Sequence, residues 1–293
     1  MERSKYKDYI SDFKSYLYAI KNLSDLYINN IIGTVSQFLS FINAYKFDNR
    51  FNSVEEMDLN DIRSISNNDI YSYIYYLVEQ DYKQGSRSVK IEHLRAFFDF
   101  LYKIKNTIFK QPIRSINKEK RENIHLPNYL SLNESKRLSE CNIEKTDNVN
   151  IKIRNNAIIN LLLSCGLRVS EVANLNLSDF KFETRQFLIH GKGKKERIGY
   201  LNDNSLHAIE EYLKIRSKVH IKDKKDNDAL FLTKKGTRID VRSIRRDIKE
   251  AYSNAGIDEK AYSVHTLRHT CATLLYKYGN INIHTIQELL RSF

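Results

Sequence analysis

The 293 residues carry 48 Lys and Arg against 36 Asp and Glu, a net charge of +12, with 41% hydrophobic residues and only three cysteines. That length suggests two domains, each with chain enough for a core. The charged start MERSKYKDYI excludes a signal-peptide core, and the longest apolar run, Ala157 to Leu163, is too short and interrupted to span a bilayer. Cys141, Cys165 and Cys271 form no paired spacing and no metal-ligand cluster with histidine, as expected of a soluble protein in a reducing cytoplasm. The charge is lopsided: residues 1–110 hold 15 basic and 14 acidic side chains, residues 111–293 hold 33 and 22. A second half that basic fits a polyanion, nucleic acid before an anionic membrane surface.

In residues 4–20, Tyr6, Tyr9, Ile10, Phe13, Tyr16, Leu17 and Ile20 recur at helical spacing and predict an amphipathic helix. Ser24 is placed to cap a second helix through Ile42, Asn67 or Asn68 a third through Leu77, and Ser86 a fourth through Leu101. Four helices with short polar joints predict a helical bundle over 1–108. The tyrosines at 71, 73, 75 and 76 are read as core, because aromatics at helical spacing are more often packed than stacked on bases. From 109 to 128 the periodicity stops. This stretch holds both prolines, Pro112 and Pro127, and the charge run Lys118 to Glu122, and it reads as an interdomain linker.

A second domain, 129–293, opens on the capping box Ser131-x-x-Glu134. An apolar helix from Asn156 to Cys165 is broken by Gly166, and Gly166-Leu167-Arg168-Val169-Ser170-Glu171 turns into the next. Phe180 to His190 and Glu196 to Leu201 alternate like two strands joined by a Gly-Lys-Gly-Lys-Lys turn at 191–195. A helix from Ser205 to Lys218, a short strand at Ala229 to Thr233 and a helix from Asp240 to Ala255 follow. Ser263 then caps a helix carrying His265 and Arg268, and a last helix spans His284 to Leu290. The fold expected is mainly α, with an α+β second domain built round a small antiparallel sheet.

Four cationic positions suggest chemistry. His265 and Arg268, three apart, share a face in the first turns of their helix, where free N–H groups and the positive dipole end favour an anion. Arg168 lies just past a Gly-Leu turn, within reach of Glu171, and Lys192 sits at a two-glycine hairpin tip. Alone, each is as well explained by a solvated helix face, a surface ion pair or a flexible basic loop. Their order is far more specific than any member: Gly-Leu-Arg-x-Ser-Glu, then Gly-Lys-Gly, then His-x-Leu-Arg-His.

In that order the chain resembles the Xer-like members of the tyrosine recombinase, or phage integrase, family over its whole length. The resemblance implies a helical, SAM-like core-binding domain over 1–108 and a catalytic domain over 129–293. It implies DNA strand breaking and rejoining through a 3′-phosphotyrosyl intermediate. Arg168, Lys192, His265 and Arg268 fall on the catalytic positions, with Glu171 supporting the first arginine. Because the intermediate conserves the phosphodiester energy, neither a cofactor nor a metal is implied. The partners implied are double-stranded DNA and other recombinase protomers, with no membrane and no small-molecule substrate. The resemblance stops at the end of the sequence. Arg291 and Ser292 stand where the family has Gly-His, and no tyrosine follows. The expectation is therefore a truncated catalytic domain without its nucleophile, inactive alone. The alternative is a DNA-binding module that competes or partners with an intact recombinase.

Overall fold

The computed structural model describes residues 6–108, 110–114, 128–140, 149–191 and 196–290. The chain divides into two compact units, Met1–Ile124 and His125–Phe293. The charge run at 118–122, Cys141, Lys192 and residues 291–293 lie outside the described residues.

The first unit contains α1 (Tyr6–Ala19), α2 (Asp25–Phe47), the short α3 (Leu59–Arg63), α4 (Asn67–Glu79) and α5 (Gln84–Asp99). The last runs on into a π-helical turn, Phe100–Ile104. α2 packs against α1, α4 and α5. Phe13, Phe38, Tyr73, Phe97 and Phe98 are fully buried between them and meet edge to face, the geometry aromatic pairs prefer.

Two helix starts differ from expectation. α4 begins at Ser66, because only Ser66 has an acid three residues on: Asp69 accepts the Ser66 N–H at 2.7 Å and Lys46 bonds the same oxygen at 2.7 Å. Asn67 and Asn68 are followed at that spacing by Ile70 and Tyr71. α5 begins at Gln84, with Ser86 inside its first turn. Asp81 takes a left-handed conformation (φ 54°), the Tyr82 N–H closes back on Leu77 O, and Lys83 is left extended to start the helix. Of the four tyrosines, Tyr73 is buried and Tyr76 packs at the core edge, but Tyr71 and Tyr75 are exposed. α3, unforeseen, exists because Asp58 accepts the N–H groups of Asn60 and Asp61 while Asp61 accepts that of Asp58.

The second unit is built on α7 (Val149–Cys165), after α6 (Leu132–Glu140), which starts at the expected Ser131–Glu134 box. Around α7 pack α6, α8 (Val169–Asn174), α9 (Asp203–Arg216), α10 (Val241–Asn254) and α11 (Val264–Tyr278). α12 (Ile283–Leu290) leans on α11. The sheet is antiparallel in the order β1 (Phe180–Lys181), β2 (Gln186–His190), β3 (Glu196–Tyr200). The expected strand from Phe180 to His190 is thus broken in two by a turn in which Arg185 is left-handed (φ 54°). At Ala229 to Thr233 the strand reduces to two isolated bridges, Asn176 with Ala229 and Leu232 with Arg238.

β3 sits in the register opposite to its hydrophobic pattern. Ile198 and Tyr200, which the alternation assigns to a core, are about half exposed. Arg197 and Gly199 face inward opposite Ile189 and Phe187. Gly199 is required there, since a Cβ would collide with the Phe187 ring. Among the described residues no helix is long and apolar enough to cross a membrane.

Candidate active site

The site begins where α7 stops. Gly166 adopts φ +59°, and a Cβ there would run into Leu290 of α12 and crowd the Cys271 sulfur of α11. Only glycine combines that backbone with that approach. The turn lets Arg168 precede α8 in an extended conformation. Glu171, one turn on, accepts the Arg168 backbone N–H at 2.8 Å on Oε2 and the Arg168 guanidinium at 2.8 Å on Oε1. The Glu171 side chain is 4% exposed while that of Arg168 is 41% exposed. A buried carboxylate therefore fixes a guanidinium that is itself partly exposed.

α11 brings the second half. Ser263 is the N-cap of α11, as expected, and Thr266 completes the box by accepting the Ser263 N–H at 3.0 Å. Thr270 accepts the Leu130 N–H at 2.9 Å and donates to Thr266 O, which anchors the helix to the start of the unit. On the face this leaves, Arg268 donates through Nη1 to Gly166 O and through Nη2 to Leu290 O. The second arginine is thus held by the same glycine turn that launches the first.

Electrostatics shows the groups converging. Burial first, and then the guanidinium of Arg168, lower the proton affinity of Arg268. His265 is held below its ordinary value by burial, then by His269, whose ring stands edge-on at 4.7 Å, then by Arg268 and Arg168. At neutral pH its imidazole is accordingly uncharged, able to donate from one nitrogen and accept at the other. Cys165 and Cys271 flank the two arginine segments, but burial pushes their thiols up to about 11 and about 12, so they pack rather than react.

Beside His265 opens a cavity of about 780 Å³, lined also by Arg245 and Lys249 of α10, Lys260 and Tyr262. Arg242, Arg245, Arg246 and Lys249 make one exposed basic face of α10. Cations around a groove with an uncharged imidazole and two oriented guanidiniums suit a phosphodiester: planar forks match non-bridging oxygens, and the surrounding charge attracts the chain that carries them.

Arg168, Glu171, His265 and Arg268 are therefore brought together from segments a hundred residues apart. Lys192 falls outside the described residues, though Gly191 and Glu196 frame its hairpin. Reading the sequence missed Arg197, which bonds Glu171 at 3.0 Å with a side chain 8% exposed. No local signal marks it: in an alternating strand a charged residue out of phase with Ile198 and Tyr200 reads as solvent-facing.

The profile of the Phage integrase family matches residues 129–291. The chain is 37% identical over 297 residues to tyrosine recombinase XerC of Caldanaerobacter subterraneus subsp. tengcongensis, covering 99% of this chain and 81% of that protein. It is 31% identical over 281 residues to tyrosine recombinase XerD of Oceanobacillus iheyensis, covering 96% and 88%. Its fold is similar to that of XerH site-specific recombinase bound to palindromic difH substrate in a post-cleavage complex (TM-score 0.72, 23% identity, 96% of this chain and 77% of that one). It is also similar to a lambda integrase (75–356) dimer bound to a COC′ core site (TM-score 0.64, 14% identity, 98% and 94%). The chain belongs to the phage integrase family, alongside the XerC and XerD tyrosine recombinases.

Proposed function

We propose that this protein acts in site-specific DNA recombination, binding duplex DNA and holding a scissile phosphate between Arg168 and Arg268. The observation that carries the reading is the convergence of Arg168, His265 and Arg268 on the Gly166 turn, in a chain 37% identical to a XerC recombinase. Residues 1–108 serve as the core-binding domain and 129–293 as the catalytic domain, joined through 109–128. DNA and further protomers are the partners, and the cytoplasm is the place of action.

The chemistry assigned to the site is an in-line displacement at phosphorus. A tyrosine oxygen forms the new P–O bond, the 5′-oxygen leaves, and Lys192 protonates it. Charge that grows on the non-bridging oxygens is met by the two guanidiniums, and His265 stabilises the crowded phosphorane or relays a proton. Each charge-assisted hydrogen bond to such an oxygen contributes about 1.5–3 kcal/mol.

Neither Tyr276 nor Tyr278 is assigned as nucleophile. They lie eight and ten residues beyond Arg268 on α11, about 12–15 Å further along the axis, with 61% and 65% exposure. The alternative reading for the polypeptide of residues 1–293 is DNA binding without cleavage, as a competitor or partner of an intact recombinase.

Selection from a random duplex pool tests the function. The 293-residue chain is expected to enrich a defined sequence, with affinity falling steeply as salt rises because phosphate contacts dominate. A pool that emerges unenriched contradicts the proposal. A nicked suicide substrate of the enriched sequence then separates the two readings, since a covalent protein–DNA adduct excludes the second.

A further inference from the structure

We propose that Arg197 is a positioning residue of the phosphate pocket: through Glu171 it holds the Arg168 guanidinium in place and ties the root of the β2–β3 hairpin to the Arg168 turn. This rests on the phosphate reading of Arg168 and Arg268 given above.

The geometry is a carboxylate divided between two arginines. Oε1 of Glu171 takes the Arg168 guanidinium at 2.8 Å, and Oε2 takes the Arg168 N–H at 2.8 Å and Arg197 Nη2 at 3.0 Å. With one arginine, a buried carboxylate cancels the charge it binds and competes with any incoming phosphate for the same donors. With two, the cluster keeps a net positive charge, and the exposed member, Arg168, presents it. Arg197 supplies that second charge from beneath, where its side chain is 8% exposed.

Arg197 is poorly arranged for stability alone. Its Nε is buried and finds no hydrogen-bond partner among the described residues, and an unmade bond of that kind costs about 1–3 kcal/mol. It also occupies the inward position of β3 opposite Ile189, where an apolar residue packs at no such cost. Its sequence position gives it a second effect. Arg197 is five residues after Lys192 on the same hairpin, so its bond to Glu171 fixes the base of the loop that carries the lysine. Cys165, next to Gly166, adds a neighbouring tether by donating to Tyr200 O at 3.2 Å.

Sulfate, doubly charged across the neutral range, is a probe for the pocket. It is titrated calorimetrically into the 293-residue chain at constant ionic strength, with thermal unfolding followed for each variant. Arg197→Ala is expected to weaken sulfate binding about 10-fold, within the range for residues coupled in one network. Arg197→Lys, which keeps the charge, is expected to recover most of that loss. In a Glu171→Gln background, Arg197→Ala is expected to cost little more, because the group it acts through is gone.

Wild-type affinity in a folded Arg197→Ala protein overturns the proposal, and so does a penalty that simply multiplies in the double variant. If Arg197→Ala does not fold, Arg197→Met, which keeps the side-chain volume, replaces it in the same cycle. Arg268→Ala separates the two levels of inference. If it leaves sulfate binding unchanged, the phosphate reading fails and this proposal with it. If it abolishes binding while Arg197 proves uncoupled to Glu171, only this proposal fails.

Discussion

Two carboxylates in the second unit are each caught between a buried and an exposed arginine, and only one belongs to the candidate site. Asp247 on α10 bonds Arg154 at 2.5 Å and Arg246 at 3.0 Å. Glu171 bonds Arg197 and Arg168 in the same pattern. They differ at the buried arginine. Every nitrogen of Arg154 is used, on Asn155, Leu232 O and Asp247. Its side chain is 7% exposed, so the buried half of the Asp247 cluster is closed and pins α7 to α10. The Glu171 cluster leaves Nε of its buried arginine, Arg197, unbonded among the described residues, and Arg268 and His265 are drawn up beside Arg168. Charge burial of this kind is therefore no mark of function by itself. What distinguishes the site is an unmade bond on its buried arginine and other cations drawn to the same space.

Substitutions at the two clusters should separate stability from anion binding. The largest effect is expected at the closed cluster: Asp247→Ala strands a buried guanidinium and should cost about 3–5 kcal/mol in urea unfolding, with sulfate affinity per folded molecule unchanged. At the open cluster the pattern should invert. Arg168→Ala is expected to change unfolding free energy by less than about 1 kcal/mol, because the Arg168 end of the pair is partly exposed and Arg197 still pairs with the buried Glu171. It should weaken sulfate binding by about 10- to 100-fold, the loss of one charge-assisted hydrogen bond. Equal stability losses at the two clusters would erase the distinction. Gly166→Ala falls between them. The left-handed backbone and the contact with Leu290 predict about 1–3 kcal/mol of destabilisation, together with weaker sulfate binding because the turn carries an anchor for Arg268.

The smallest effect is a pH dependence. His265 is held below its ordinary value, chiefly by burial. Its folded form therefore binds protons less readily than the unfolded chain, and the stability it contributes is present above about pH 6.5 and lost as pH falls through the folded value. A bound anion acts oppositely, raising the imidazole's proton affinity, so sulfate binding should tighten as pH drops below neutrality by less than tenfold per unit. A His265→Gln protein with an unchanged slope would assign the effect to another group.

Most helices were legible because apolar residues recur at 3.6-residue spacing, and α1, α2, α9, α10 and α12 match expectation within a few residues at each end. Starts were less legible where several polar residues compete: Ser66 outranks Asn67 only through its partner Asp69, which a list of capping residues does not reveal. The strands misled for a different reason. Their faces are set by Gly199 fitting beneath Phe187 and by Arg197 reaching Glu171, both tertiary contacts, so the apolar pattern of β3 pointed the wrong way. The site was legible as an order of short motifs. That Arg168 and Arg268 share one turn was not, since the contact of Gly166 with α11 and α12 has no local signature.

In the proposed function Arg168 and Arg268 grip one phosphate. Crystals of the 293-residue chain soaked in tungstate, a heavy tetrahedral oxyanion, test it by anomalous diffraction. A peak within hydrogen-bond distance of both guanidiniums is the predicted result. Tungstate found only elsewhere, for instance on the basic face of α10, with the space between the two arginines empty, would contradict it.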